Sequence, residues 1–189
     1  MPILFKDNSP KYKVPVDADF TNSGGTITGD GICAEVGGGN VNGFAAVTAN
    51  ISTMMAKYGY SNFFLVLSAS CEANALNSST NGFCTIGDGS TTTTLLSVTT
   101  GTLSGYPHKY AYISVQCTKV GTNQIQYVVK GSAASSNASG SVGVMSSTTV
   151  TYNNFSNLVI TYCGQANSAG NYGAFGGCSG TKPIFVSRF

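Results

Sequence analysis

The chain has 189 residues, of which 42% are hydrophobic and only 8% are charged, and its formal net charge is +2. This length suits one domain with a sizeable core, and this hydrophobic content excludes intrinsic disorder. An ordinary domain has about 25% charged residues, so most of the polar surface must consist of Ser, Thr, Asn, Gln and Gly. The basic residues are scattered along the chain, which argues against a specific nucleic-acid site.

The first segment of the chain, residues 1–39, has two features of an extended arm. It contains prolines and glycine-rich stretches, and its basic and acidic residues are balanced. We expect an N-terminal arm that is either disordered or ordered only on a neighbouring subunit, to which the run "KYKVPV" is able to add an edge strand. The opening apolar run of three residues predicts no signal peptide, and no later run is long enough for a membrane span.

Residues 40–189 are predicted to form a single β-sandwich domain. One short helix is expected in "NISTMMAKYG", residues 50–59, with Ser52 as the candidate N-cap and Gly59 as the stop. Alternation in "KYAYISVQCTK" and "QIQYVVK", joined by "VGTN", predicts a β-hairpin, and the stretch 130–143 reads as a loop. Further strands are predicted at 43–48, 62–70, 91–99, 142–152, 157–163 and 183–189.

These elements indicate an all-β fold. About eight short strands separated by loops rich in Gly, Asn and Ser are typical of an antiparallel β-sandwich, for which a jelly roll is the leading topology.

Six cysteines are present, an even number that allows a disulfide framework. The short separations predict pairs Cys71–Cys84 and Cys163–Cys178, which would leave Cys33 with Cys117, although fifteen connectivities exist. Buried free thiols are the alternative, because unpaired cysteine is among the most buried residue types. The cysteines lack the close pairs and the nearby histidine that zinc requires, so no metal site is expected.

Groups able to carry catalysis are scarce. His108 is the only histidine, and no Asp or Glu follows Asp88. Any acid partner would have to come from Glu35, Glu72, Asp88 or the arm, and no spacing favours a pair. "GDGICA" is not followed by a helix, and "DADFTN" lacks the glycine and glutamate of a calcium loop, so no cofactor is expected. The sequence therefore predicts a protein that is not an enzyme.

Two further sets of residues are candidates for surface roles. Asn50, Asn77, Asn137 and Asn154 begin Asn-x-Ser/Thr triplets and are candidate glycosylation sites if the chain meets the modifying machinery. Tyrosines in and near the predicted strands offer large contact areas for sugars or for a neighbouring subunit.

A charge-poor β-chain with these features and an N-terminal arm resembles the single jelly-roll coat proteins of icosahedral viruses. Within that class it is most similar to those of viruses of thermophilic archaea, in which cysteine pairs also occur, and the resemblance covers residues 40–189. It implies a shell subunit that packs side by side through sheet edges and loops.

We therefore expect a structural, self-assembling virion protein that is made in the host cytoplasm. Its expected partners are copies of itself and other virion proteins. Two alternatives remain open. The first is an extracellular filament subunit assembled by a donated strand. The second is a glycan-binding spike or lectin-like module that contacts host-surface glycans.

Overall fold

The computed structural model describes residues 11–37, 43–73, 79–100, 108–136, 140–167 and 174–187. These residues form two antiparallel β-sheets, packed face to face as a sandwich, and one α-helix, α1 (Ile51–Tyr58). The strands are β1 (Tyr12–Lys13), β2 (Thr21–Ser23), β3 (Thr26–Thr28), β4 (Gly31–Val36), β5 (Gly43–Asn50), β6 (Asn62–Ala73), β7 (Ser79–Gly87), β8 (Thr92–Thr100), β9 (His108–Gly121), β10 (Gln124–Ser136), β11 (Ser141–Val144), β12 (Thr148–Thr151), β13 (Val159–Asn167), β14 (Ala174–Thr181) and β15 (Ile184–Val186). Short 3-10 turns cover Asp17–Asp19 and Phe155–Asn157.

The topology is that of a jelly roll. The nine-stranded sheet has the order β12-β10-β9-β6-β14-β4-β3, with β15 beside β6 and β1 beside β15. The six-stranded sheet has the order β11-β8-β7-β13-β5-β2. Eight strands form the jelly roll, namely β4, β5, β6, β7, β8, β9, β13 and β14. Numbered 1 to 8 along the chain, they have the order 6-3-8-1 in one sheet and 5-4-7-2 in the other, which is the double Greek key of a jelly roll. The predicted fold class is confirmed.

The two ends of the sandwich differ. Five main connections between the sheets begin at Val36, Ala73, Thr100, Ser136 and Asn167, and the strand register places these residues at one end. We call this the loop end. Helix α1, the turn between β7 and β8 and the turn between β9 and β10 lie at the opposite end, which we call the helix end.

The core lies between the sheets and is made by alternate residues of each strand. Phe63, Leu65 and Leu67 of β6 are fully buried, as are Ile113 and Val115 of β9.

A second feature is a chain of buried hydroxyl groups. The Tyr152 hydroxyl lies 2.6 Å from that of Tyr127 and 2.8 Å from that of Thr93, so these polar atoms are satisfied within the core.

Helix α1 forms where it was predicted, but its N-cap differs. Asn50 rather than Ser52 caps the helix, since the Asn50 side chain accepts a hydrogen bond of 2.8 Å from the Thr53 amide. Gly59 ends the helix in the left-handed conformation, with φ of 75°, as its position in the sequence predicts.

The segment before residue 40 contributes strands to both sheets. Residues 12–36 form β1 to β4: β4 pairs with β14, β3 with β4, β2 with β5, and β1 with β15. This stretch was predicted as part of an arm, yet β4 is one of the eight jelly-roll strands. The rest of the predicted arm, residues 1–10 and 38–39, lies outside the described residues, so its ordering on a neighbouring subunit stays a prediction.

Two other predictions differ in detail. The stretch 130–143, predicted as a loop, is strand as far as Ser136, because β10 continues through a bulge between Val129 and Gly131. The stretch 142–152, predicted as one strand, is split into β11 and β12, which lie in different sheets.

Candidate functional site

The most unusual surface belongs to the six-stranded sheet. Not one residue in its strands, β2, β5, β7, β8, β11 and β13, is Asp, Glu, Lys or Arg. The strands of the nine-stranded sheet, by contrast, carry residues of both signs, among them Glu35, Glu72, Lys109 and Lys130. The scarcity of charged residues in the sequence is therefore most complete in the strands of the six-stranded sheet.

A row of five threonines crosses the outer face of this sheet. Thr94 pairs with Thr85, Thr85 with Thr161, Thr161 with Thr48, and Thr48 with Thr21. The residues that flank the three central threonines along their strands are buried, so these side chains point outward. Adjacent strands lie about 4.8 Å apart, which makes the row a regular array of hydroxyl and methyl groups. We call it the threonine row.

A depression of about 310 Å³ adjoins the threonine row at the helix end. Its lining includes Thr85, Thr161, Thr92 and Asn157, and Gly87 leaves space because it has no side chain. All of these groups are uncharged. The depression therefore offers neutral hydrogen-bonding atoms and small apolar surface, without an ionisable group.

The outer face of the nine-stranded sheet presents two tyrosines. Tyr110 and Tyr112 of β9 are 48% and 42% exposed, and they are two residues apart on the same face. Their register partners on β6 are Ser70 and Ser68, which are small. The two rings therefore stand above their surroundings and are accessible to a partner molecule.

The outermost strand beside β15, β1, contains Lys13. The other four outermost strands are short and uncharged: β12 and β3 in the nine-stranded sheet, and β11 and β2 in the six-stranded sheet. None of these four contains a lysine, a proline or an acidic residue. Soluble proteins commonly use such residues to prevent edge-to-edge association, so these four edges lack a common barrier to pairing with other chains.

Asp88 acts as a structural bridge at the helix end. One carboxylate oxygen accepts hydrogen bonds from the Ser90 amide, 2.9 Å, the Ser90 hydroxyl, 3.0 Å, and the Thr91 amide, 2.6 Å. The other accepts one of 2.7 Å from the Asn154 amide. The bond from Asn154, followed by those from Thr91 and Ser90, holds the pKa of Asp88 well below its usual range. Asp88 is therefore ionised and fully engaged.

Two ion pairs hold the N-terminal segment on the sandwich. Lys57 Nζ lies 2.5 Å from Asp19, whose carboxylate also accepts a hydrogen bond from the Tyr58 hydroxyl. Burial alone would raise the pKa of Asp19, but the bonds from Lys57 and Tyr58 outweigh it and lower the pKa. The buried Lys182 Nζ lies 2.6 Å from Asp17. These acidic residues have a structural role.

Lys109 is a charged residue whose burial the sequence does not signal. It is fully buried at the loop end, opposite Cys71. Within the described residues its Nζ has no hydrogen-bond partner. The nearby Thr80 and Thr100 are also fully buried, and their hydroxyl oxygens lie 3.0 Å apart. Burying an ammonium group costs free energy unless the group is paired, so Lys109 is an unusual residue for this part of the core.

The candidate catalytic residues are not all brought together: His108 and Glu72 are register partners, whereas Asp88 and Glu35 lie elsewhere. His108 begins β9 at the loop end, whereas Asp88 lies at the helix end. Glu72 is in register with His108 across the ladder of β6 and β9, and Glu35 lies on β4, beyond β14. Within the described ranges, no three His, Cys, Asp or Glu residues form a group able to hold a metal ion. The same residues include no helix long and apolar enough to span a membrane.

All six cysteines carry free thiols, so none of the predicted disulfides is present. Strand alternation explains two of the three. Cys33 lies on the outer face of the nine-stranded sheet, hydrogen-bonded to Glu35, whereas Cys117 faces the core. Cys163 shares an outer row with Phe83 and Ala46 and is not part of the core cluster, whereas Cys178 is. Each of these two predicted pairs is separated by a sheet backbone.

The third predicted pair is of a different kind. Cys71 and Cys84 both face the core, Cys71 beside Thr80 near the loop end. After burial, it is the neighbouring Cys178 thiol, on the facing sheet, that raises the pKa of Cys84 most.

The candidate glycosylation sites differ in availability. Asn77 and Asn137 lie outside the described residues. The Asn50 side chain caps α1 and also donates a bond of 3.1 Å to the Ser156 carbonyl, so a glycan there would displace the cap. Asn154 is exposed, and its side chain accepts a bond of 2.8 Å from Ser156. Asn154 is the more accessible of the two, and the use of all four sites stays a prediction.

Comparison with known proteins gives likenesses of fold only. No protein-family model matches the chain, and no curated protein matches it. Among solved structures, the CBM2 module of the evolved Dit of Lactobacillus casei BL23 phage J-1 has 11% identity and a TM-score of 0.33, with 77% of this chain and 70% of that chain covered. The alginate lyase from Alteromonas sp. 272 has 8% identity and a TM-score of 0.33, with 91% and 96% covered.

The binding domain of botulinum neurotoxin DC, solved in complex with rat synaptotagmin II, has 10% identity and a TM-score of 0.31, with 94% and 43% covered. Likenesses this weak assign neither a family nor a function. The resemblance to viral coat proteins inferred from the sequence therefore stays a prediction.

Proposed function

We propose that this protein is a structural, self-assembling subunit of a virion shell, a coat protein without catalytic activity. The observation that carries the proposal is the six-stranded sheet, in which no strand residue is charged. The jelly-roll topology agrees with this role, because jelly rolls are common among viral capsid domains.

The physical argument rests on repetition. A subunit packed beside many identical copies meets its own charges at each contact, and like charges brought together cost several kcal/mol. The threonine row and the neutral edges avoid that cost, since hydroxyl groups donate and accept hydrogen bonds to an identical surface. Individually weak contacts then add through multivalency in a closed symmetric particle.

Three of the acidic residues already bind groups of their own chain. Asp88, Asp17 and Asp19 are bound within their own chain. Assembly through the six-stranded sheet would then involve few protons. A shell of this kind would resist mild acid better than one held by carboxylate pairs, since its contacts have no ionisable groups to protonate.

The test is the state of association at high concentration. Sedimentation velocity and negative-stain microscopy of the purified chain should show large particles, and microscopy separates shells from filaments. Thr161→Lys, at the centre of the threonine row, should reduce assembly at least tenfold by placing like charges at each contact. Thr118→Lys is the matched control, because Thr118 is a half-buried threonine on β9 of the other sheet.

A chain that remains monomeric at high concentration contradicts the proposal. So does assembly that is unaffected by Thr161→Lys, because it would place the contacts elsewhere. Equal losses in both variants would also count against the six-stranded sheet as the contact surface.

Tyr110 and Tyr112 favour a second candidate, a glycan-binding module. Exposed rings on a flat sheet are suited to stacking on sugars, and tyrosine also donates a hydrogen bond. This function predicts binding on a glycan array that Tyr112→Ala weakens about tenfold and Thr161→Lys leaves unchanged. Absence of binding by the unaltered chain would remove this candidate.

A further inference from the structure

Three core cysteines lie on three different strands in the middle of the sandwich. Cys84 is on β7 of the six-stranded sheet, and Cys178 is on β14 of the nine-stranded sheet. Both are buried, with exposures of 0% and 1%. Both belong to the same core cluster, and burial, followed by the neighbouring Cys178 thiol, raises the pKa of Cys84. Cys117 on β9 also faces this region.

The two sheets come unusually close beside these thiols. A Cβ atom placed on Gly82, two residues before Cys84, would lie 2.0 Å from the carbonyl oxygen of Gly177, which precedes Cys178. A Cβ atom on Gly164 would lie 2.6 Å from the carbonyl oxygens of both Ala34 and Gly176. We call this region, where backbone meets backbone across the sandwich, the glycine contact.

The glycine contact matters because of the geometry of a disulfide. Packed sheets are ordinarily about 10 Å apart, whereas the Cα atoms of a cystine are usually 4.4 to about 6.8 Å apart. Cysteines on facing sheets therefore come within disulfide distance where the sheets are closer together than this ordinary spacing. Glycine at positions 82, 164 and 176 produces such a convergence directly beside Cys84 and Cys178.

We infer that Cys84 and Cys178 form a disulfide that joins the two sheets when the chain folds in an oxidising environment. One S–S bond forms, and each thiol gives up a proton. The two electrons pass to a small-molecule disulfide such as oxidised glutathione, whose S–S bond breaks to give two thiols. This inference is independent of the proposed function.

The timing follows from burial. In the folded chain both sulfur atoms are covered, and burial raises the pKa of Cys84, which lowers the thiolate fraction. Exchange is therefore slow once β14 has closed against β7. The disulfide therefore forms before β14 has closed fully against β7.

The experiment compares refolding with a glutathione redox couple and refolding with dithiothreitol. Each sample is denatured, alkylated with iodoacetamide and analysed by intact mass and peptide mapping. The reduced sample should have all six cysteines alkylated, and the oxidised sample four, with the peptides of Cys84 and Cys178 joined. The oxidised chain should melt roughly 5–15 °C higher than the reduced chain, because the cross-link closes a long loop.

Variants identify the sulfur atoms responsible. Cys84→Ala and Cys178→Ala should each remove the difference in melting temperature, whereas Cys117→Ala, the matched buried thiol, should retain it. The peptide map uses the unaltered chain, so it does not depend on whether a variant folds. Six alkylated cysteines after oxidative refolding, or a cross-link between any other pair, would overturn the inference.

Discussion

The carboxylate of Asp88 accepts a hydrogen bond of 2.7 Å from the backbone amide of Asn154. The two residues belong to separate connections at the helix end, one between β7 and β8 and the other before β13. This bond joins the two connections, and the bonds from Ser90 and Thr91 hold the carboxylate within its own turn. Asp88, the last acidic residue along the chain, therefore has a structural role.

The hydrogen bonds to the carboxylates of Asp88 and Asp19 make the free energy of unfolding depend on pH. The folded pKa values of Asp88 and Asp19 are both lowered, so their contributions are fully present above the unfolded value of about 3.9 and are lost as pH falls. The urea midpoint should therefore be lower at pH 3 than at pH 7. Asp88→Asn should lower the midpoint at pH 7 and weaken its pH dependence. Asp30→Asn, at an exposed turn, should change neither, and an equal effect of both variants would contradict this account.

Replacing Lys109 by Met should stabilise the protein. Methionine retains the length of the side chain and removes an ammonium group that has no partner within the described residues. The free energy of unfolding in urea should rise by about 1–3 kcal/mol. Lys130→Met, at an exposed bulge, serves as the control and should have little effect. A loss of stability in Lys109→Met would mean that the ammonium group has a favourable partner after all.

Gly82→Ala should be strongly destabilising. The added Cβ would lie 2.0 Å from the Gly177 carbonyl oxygen, and the obstruction is backbone, which a side-chain rotation does not relieve. We expect a loss of about 3 kcal/mol in the free energy of unfolding. Gly131→Ala, also in a strand but with its nearest atom at 3.8 Å, should cost under ~1 kcal/mol. Similar losses for both would show that the sheets are not in close contact at Gly82.

Asn50→Ala should cost about 1 kcal/mol through loss of the helix cap. Asn50→Asp should recover only part of that loss, because a carboxylate accepts the bond from the Thr53 amide but cannot donate to the Ser156 carbonyl. Thermal unfolding followed by circular dichroism measures both. An unchanged stability of Asn50→Ala would contradict the assignment of Asn50 as the cap.

Local patterns explain which elements were predicted correctly. Alternation in β9 and β10 is strong, since bulky residues face the core and polar residues face outward, and the hairpin is found where expected. Strands β4, β7 and β14 were not predicted. Their inward positions include Ala34, Gly82 and Gly176, which are too small to produce a hydrophobic period of two.

The candidate site was visible only in part. The sequence shows a charge-poor chain, but the threonine row is assembled from five strands whose threonines are up to 140 positions apart along the chain. Spacing along the chain likewise favoured Cys71–Cys84 and Cys163–Cys178, whereas the sandwich brings Cys84 to Cys178.

The sequence by itself determined the class of the fold, the single helix and the scarcity of charge, because composition and the period of two are local properties of a chain. Only the tertiary structure decided which strands are neighbours, and hence that one sheet is uncharged, that Lys109 is buried and that two thiols meet at the glycine contact. These relationships depend on the packing of distant strands, and no local pattern records them.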